Sequence, residues 1–272
     1  MEVIARLKYG FVSWLGGVLA QVRFNKVCKM HIDRHPYYAK ERSWFGAALI
    51  AAGNVYLKRL GAHARVLPDQ EWRRWESEVY RVVYDIELVP DASGRLLVPE
   101  WSGVSLAAYL ESEEINEAEK LGAIGLAAQS LYRIHSAVIQ WQDGQRRSLS
   151  HGDATVENVI VDDVQATATW FDFDTIHESS MYADWRRADD LRALTYSAAE
   201  RLHSAGFPEL TKTIVTNYPH AATLEALAAA VAYRRTRPIS FHLAQARIGY
   251  RKRQLLDEAL METLGCRQWA AR

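Results

Sequence analysis

Cysteine is nearly absent: two residues in 272, Cys28 and Cys266, lie close to opposite ends of the chain. Without a Cys-x-x-Cys pair, they exclude a disulfide framework and a zinc knuckle and fit a reducing cytoplasm. Net charge is missing as well, since 33 basic side chains balance 33 acidic ones; overall charge therefore draws the chain to neither nucleic acid nor membrane, and no nucleic-acid partner is expected. The most apolar stretch near the start, Tyr9 to Ala20, is shorter than the roughly 20 residues that span a bilayer. Basic residues flank it and no convincing cleavage site follows, so it reads as a helix that packs on the domain or lies against a membrane face, not as a signal peptide. Repeats, low-complexity tracts and Gly/Ser linkers are absent. So are G-x-x-x-x-G-K-[ST], a G-x-G-x-x-G after a strand, G-x-S-x-G and H-E-x-x-H, with the enzyme classes those motifs mark.

What remains is an ordinary globular composition, 49% apolar and 24% charged, long enough for one large domain or two lobes around a cleft. Residues 28–34, 44–52 and 55–59 read as strands, the last two joined by a Gly53-Asn54 turn into a hairpin. Asp69 to Tyr84 reads as a helix, with Trp72, Trp75, Val79, Val82 and Val83 at three- and four-residue spacing. Ile86 to Val89 and Leu96 to Val98 read as two more strands around an Asp-Ala-Ser-Gly turn. From residue 102 the pattern turns helical: Ile115, Ala118, Leu121, Ile124, Ala128, Leu131, Ile134 and Val138 form one continuous stripe. One hairpin interrupts it, with strands near 158–162 and 168–171 and a polar turn at Asp162-Asp163.

That hairpin carries the chemistry. His151-Gly152-Asp153 precedes its first strand, Asn158 opens that strand, and Asp172-Phe173-Asp174 follows the second. Pairing the strands brings Asp153, Asn158 and Asp172 to one edge. Phosphoryl transfer needs such a set: a carboxylate beside the attacking hydroxyl, and oxygen ligands that hold Mg²⁺ against the phosphates.

With these residues the chain resembles the protein-kinase-like superfamily, and more closely its branch of aminoglycoside phosphotransferases, choline kinases and lipopolysaccharide-core kinases. His151, Asp153 and Asn158 match the H-x-D-x-x-x-x-N catalytic loop, and Asp172-Phe173-Asp174 stands in place of D-F-G. The resemblance implies a two-lobed α+β fold: residues 1–101 as a small β-rich lobe and 102–272 as a larger helical lobe. It implies ATP and Mg²⁺ as cofactors, Asp153 as the catalytic carboxylate, and Asn158 with Asp172 as metal ligands. Lys58, in Val-Tyr-Leu-Lys, takes the place of the phosphate-binding lysine; Glu78 is its chosen partner, with Glu71 and Glu76 as alternatives. Glu100 and Trp101 fall where the hinge meets the adenine. His135 and Asp190 resemble residues that brace the catalytic loop, and Asp174 is either a second metal ligand or part of the loop.

One departure stands out. The place of the flexible phosphate loop falls on Arg34 to Ser43, which has no glycine, so backbone cannot approach phosphates closely there. Lys40 or Arg42 would then serve as side-chain donors. The expected acceptor is a hydroxyl of a small molecule, sugar or glycolipid, with a lean toward a lipopolysaccharide-core sugar at the inner membrane face. Lys8, Arg23, Lys26 and Lys29 around the apolar start, and the basic runs at Arg234 to Arg237 and Arg247 to Arg253, carry that lean and suggest peripheral membrane contact. Two alternatives stand beside it. Glu111, Glu113, Glu114, Glu117 and Glu119 fit an acidic pocket for a cationic aminoglycoside or metabolite, and the glycine-free loop fits a partner-binding pseudokinase.

Overall fold

The computed structural model describes residues 25–59, 63–140, 144–234 and 248–265. The chain is a mixed α+β protein with small antiparallel sheets. It opens with a hairpin of β1 (Asn25–Ile32) and β2 (His35–Arg42), turned at Asp33-Arg34 with both residues in the left-handed region, φ 49° and 69°. Its second strand pairs onward with β4 (Leu96–Pro99), Lys40 opposite Leu96. Alternation along β2 puts Tyr38, Lys40 and Arg42 on one face, and both cations are buried.

Residues 44–59, expected as a hairpin, form a single helix, α1 (Trp44–Arg59). Four alanines and three leucine or isoleucine side chains favour helix, and the segment lacks the two-residue alternation of a half-buried strand. Asn54 is not a turn residue. Its side-chain amide donates to the Val66 carbonyl (2.8 Å) and accepts from the Val66 N–H (2.9 Å), joining α1 to β3 (Ala64–Val66). In turn, β3 pairs antiparallel with β10 (Thr175–His177), directly after the Asp172-Phe173-Asp174 segment.

The expected helix over 69–84 is present as α2 (Asp69–Tyr84). Its inner face carries Trp72, Trp75, Val79 and Tyr80, and on that same face the carboxylate of Glu76 is wholly buried. After it, residues 86–89 form no strand; one isolated bridge, Pro90 with Leu96, stands in their place. The helical remainder comprises β5 (Val104–Ser105), α3 (Leu106–Glu111), α4 (Glu117–Ser136), α5 (Ala183–Arg201), α6 (Phe207–Asn217), α7 (Ala221–Arg234) and α8 (Tyr250–Thr263). Two hairpins interrupt it: β6 (Val138–Gln140) with β7 (Arg146–Ser148), which was not expected, and β8 (Val159–Asp162) with β9 (Thr167–Trp170), which was.

A capping box starts α4: Asn116 accepts from the Glu119 N–H and Glu119 reaches back to the Asn116 N–H. Inside, Ile124, Ala128, Leu131 and Ile134 of α4 join Trp170, Leu191 and Leu194 in a core that runs on to Trp72 and Val79. Among the described residues no helix is long and apolar enough to cross a membrane.

Asn54→Ala would leave the Val66 N–H and carbonyl without their partners, at about 1–3 kcal/mol for buried groups. The expected outcome is loss of amide hydrogen-exchange protection along α1 and β3, with α4 and α5 unchanged.

Candidate active site

The β8–β9 hairpin brings its two ends together as its register demands. Val159 faces Trp170, the Phe171 N–H donates to the Asn158 carbonyl (3.0 Å), and Asp172 follows. On the opposite side of the edge, Asp153 precedes a single 3₁₀ turn, Val156–Asn158. The Asn158 side-chain amide donates to the Asp153 carboxylate (3.0 Å) and to its backbone carbonyl (2.8 Å), fixing the loop as a closed ring. Asp172 is held at φ 64°, a left-handed conformation that aspartate tolerates better than most residues.

Behind this edge sits a buried brace. Asp190 of α5 accepts from the backbone N–H groups of His151 (2.7 Å) and Gly152 (2.9 Å) and from His135 Nε2 (2.9 Å). Burial works against its ionisation, yet the neighbouring His177 and His135 outweigh it and hold the carboxyl below its ordinary value. Burial pushes His135 and His151 down, so both stay neutral near pH 7. Neutral His151 then has one tautomer that satisfies both contacts: Nε2–H donates to the Phe171 carbonyl (2.9 Å) and Nδ1 accepts from the Asp153 N–H (3.3 Å). Gly152 has φ 86°, and a Cβ there would lie 2.4 Å from the Thr175 carbonyl oxygen, so only glycine fits.

The cation facing Asp172 is Lys40. Its Nζ lies 2.6 Å from Asp172 Oδ1 and 2.8 Å from Glu76 Oε1. Burial opposes the ammonium, but the charges of Asp172 and Glu76 outweigh it and hold Lys40 well above the ordinary lysine value. Burial opposes Asp172 as well, and Lys40 reverses that, keeping its carboxyl below the usual range. Glu76 is raised, by burial first and by the Asp172 charge, and it is steadied by Lys40 and by a short hydrogen bond from the Trp72 indole N–H.

Two residues along the same face of β2, Arg42 repeats the arrangement. It contacts Asp174 Oδ2 (3.1 Å), the Leu67 carbonyl and Asn25 Oδ1 (3.1 Å), and its guanidinium lies 4.7 Å from the Trp72 ring centroid. Burial and the charge of Asp172 push Asp174 up to about 7, against the pull of Arg42.

The sequence-based pair of Lys58 and Glu78 is not brought together. Lys58 is exposed in the last turn of α1, because 55–59 is helix and not strand. Glu78 points off the outer side of α2 and pairs with Arg81 (2.5 Å), two positions from the inward-facing Glu76. Glu71 pairs with Arg65 (2.9 Å). The segment taken for a glycine-free phosphate loop is the turn and strand that deliver Lys40 and Arg42. Period-two alternation of Tyr38, Lys40 and Arg42 was its available signal.

Glu100 lies beyond β4 with its carboxylate taken by Lys29 (2.7 Å) and the Tyr38 hydroxyl (2.9 Å). Trp101 packs its ring on Tyr80 and Tyr84, centroids 6.3 and 5.1 Å away. The acidic run from Glu111 to Glu119 is exposed and serves locally: Glu119 closes the α4 cap and Glu111 pairs with Arg201 (3.0 Å). Of the basic residues, Lys8, Arg23, Arg235, Arg237 and Arg247 lie outside the described residues, as do Tyr9 to Ala20; Arg253 is buried and Lys252 donates to the Glu200 carbonyl (2.9 Å).

Among the described residues no group of three or more His, Cys, Asp or Glu side chains could hold a metal ion by itself. Asn158 and Asp172 offer hard oxygen atoms on one edge, the donor type that suits magnesium, which takes its remaining ligands from phosphates and water. No protein-family model matches the chain, and no curated protein matches it in sequence.

Lys40→Met would leave wholly buried Glu76 without its cation, and the expected loss is about 3–5 kcal/mol in denaturant unfolding. Lys58→Met should stay within about 0.5 kcal/mol of wild type. Asp190 has a depressed folded pKa, so its stabilisation is complete above the unfolded carboxyl value near 4 and drains away as pH falls through the folded value. Asp190→Asn is expected to cost about 1.5–3 kcal/mol at pH 7 and to flatten the acid limb of the stability profile.

Proposed function

We propose that the chain is a two-lobed kinase-like phosphotransferase that moves the γ-phosphoryl group of ATP to a hydroxyl. The observation that carries the reading is the Lys40 ammonium held between Glu76 on α2 and Asp172 on the same edge as Asp153 and Asn158. A buried lysine steadied by a helix glutamate, next to an aspartate that follows a hairpin, is the arrangement that phosphoryl transfer uses to hold nucleotide phosphates.

In this reading Lys40, and not Lys58, binds phosphate. Asp153, its carboxylate fixed by the Asn158 amide, orients the acceptor hydroxyl and accepts its proton. Asn158 and Asp172 would hold Mg²⁺, which neutralises the developing phosphate charge when it is bound. The backbone of Glu100 and Trp101, which continues from β4 toward the second half of the chain, is the proposed adenine edge. Residues 35–42 are strand and Asp33-Arg34 a turn, so the lack of glycine from 34 to 43 does not by itself favour a partner-binding pseudokinase. The acceptor stays at the level of a hydroxyl-bearing small molecule, sugar or glycolipid; nothing in the exposed Glu111–Glu119 segment favours a cationic one.

The test is melting temperature with ATP, with and without Mg²⁺. At a hundredfold excess over the dissociation constant, binding adds about 2.7 kcal/mol, or about 5–10 °C for a chain of this size. Asp172→Asn is expected to abolish the magnesium-dependent part. Asp153→Ala is expected to keep the shift but lower ATP turnover by about 10²–10⁴-fold. Equal shifts in wild type and Asp172→Asn would rule out the nucleotide site.

A further inference from the structure

The helix α1 is apolar on both sides: Ile50 is buried and Leu49 and Leu57 are half-buried on its inner side. At about 100° per residue, Trp44, Ala47, Ala48, Ala51, Ala52, Val55, Lys58 and Arg59 fall within an arc of about 140°, and these are its exposed positions. Trp44 is 84% exposed and Val55 55%. The Asn54 side chain turns inward to Val66, and no acidic residue occurs in the helix. An ordinary surface helix hides its apolar stripe and shows a polar one; α1 buries its larger aliphatics together with Asn54 and still leaves Trp44, four alanines and Val55 outside.

We propose that this face of α1 docks on an anionic lipid bilayer, lying flat in the interface. Three features favour lipid over a protein partner. The stripe ends in two adjacent cations, Lys58 and Arg59, which suit anionic headgroups. An exposed indole at the other end matches the preference of tryptophan for the membrane interface. Between them, the alanines and one valine of Ala47 to Val55 make a smooth apolar strip about 12 Å long, with no large side chain to fill a protein pocket.

The docking element is joined to the candidate site on both sides. Arg42, which holds Asp174, lies two residues before Trp44, and Asn54 fixes the helix to β3, the strand paired with β10 beyond Asp174. Docking therefore favours acceptors carried by lipids. The surface itself stands whether or not the chain binds ATP.

Full-length protein is floated with vesicles of phosphatidylcholine alone and of phosphatidylcholine mixed with phosphatidylglycerol, without nucleotide. Partition onto the anionic vesicles, weakening with salt, is expected. Val55→Glu puts a charge in the middle of an exposed face and should lower partition about tenfold or more with an unchanged melting temperature. Lys58→Glu with Arg59→Glu should lower it by at least about 25-fold, about fivefold per cation removed. No partition of wild type, or equal partition of wild type and Val55→Glu, overturns the proposal. A dimer dissociated by Val55→Glu with vesicle binding unchanged overturns it in favour of a second copy. A lower melting temperature for Val55→Glu with vesicle binding unchanged overturns it in favour of cover by the chain's own residues.

Discussion

A single buried ammonium ties the first hundred residues to the rest of the chain. Lys40 comes from the opening hairpin, Glu76 from α2 and Asp172 from beyond the β8–β9 hairpin, so three distant stretches of sequence meet on one charge. Neither Lys40 nor Glu76 is stable alone, since an unpaired charge at that depth costs several kcal/mol; the half-buried Asp172 carboxylate and the Trp72 indole N–H complete the set. Arg42, Asp174 and the Leu67 carbonyl form a second link beside it, and the Trp72 ring lies close to both cations. What orients α2 against β2 is therefore polar as much as apolar.

The other half of the site depends on Asp190. Its carboxylate fixes the backbone at His151 and Gly152, and His151 then links the loop of Asp153 to Phe171, one residue before Asp172. The two carboxylates proposed for chemistry are thus tied to each other through backbone and one neutral imidazole. Each carboxylate is then held by a neighbour, Asp153 by the Asn158 amide and Asp172 by Lys40. Such preorganisation is what electrostatic catalysis requires, since groups already aimed need no rearrangement during the reaction.

Local pattern made much of this legible. Helix α2 has its expected bounds because its apolar residues keep helical spacing, and the β8–β9 hairpin follows from two apolar runs around a polar turn. That hairpin in turn places Asp153, Asn158 and Asp172 together. The N-terminal half misled for physical reasons. The β1–β2 turn uses Asp33 and Arg34 in left-handed conformations without glycine or asparagine, so it carries no turn signal and the strand bearing Lys40 reads as a loop. In α1, Gly53-Asn54 resembles a turn, yet Asn54 is spent on a tertiary contact with Val66 that no local pattern reveals. Glu76, four residues after Trp72 and three before Val79, already lies on the apolar face by spacing, whereas its partner Lys40 comes from 36 residues away and no local pattern joins them.

The central claim is that Lys40 belongs to a nucleotide site and Lys58 does not. An ATP-derived acyl phosphate transfers its acyl group to a lysine beside the bound phosphates, and the modified lysine can be found by peptide mass spectrometry. The account predicts acylation of Lys40 that excess ATP with Mg²⁺ suppresses, and acylation of Lys58 that ATP leaves unchanged. ATP-protected labelling at Lys58, or labelling at Lys40 indifferent to ATP, would contradict it.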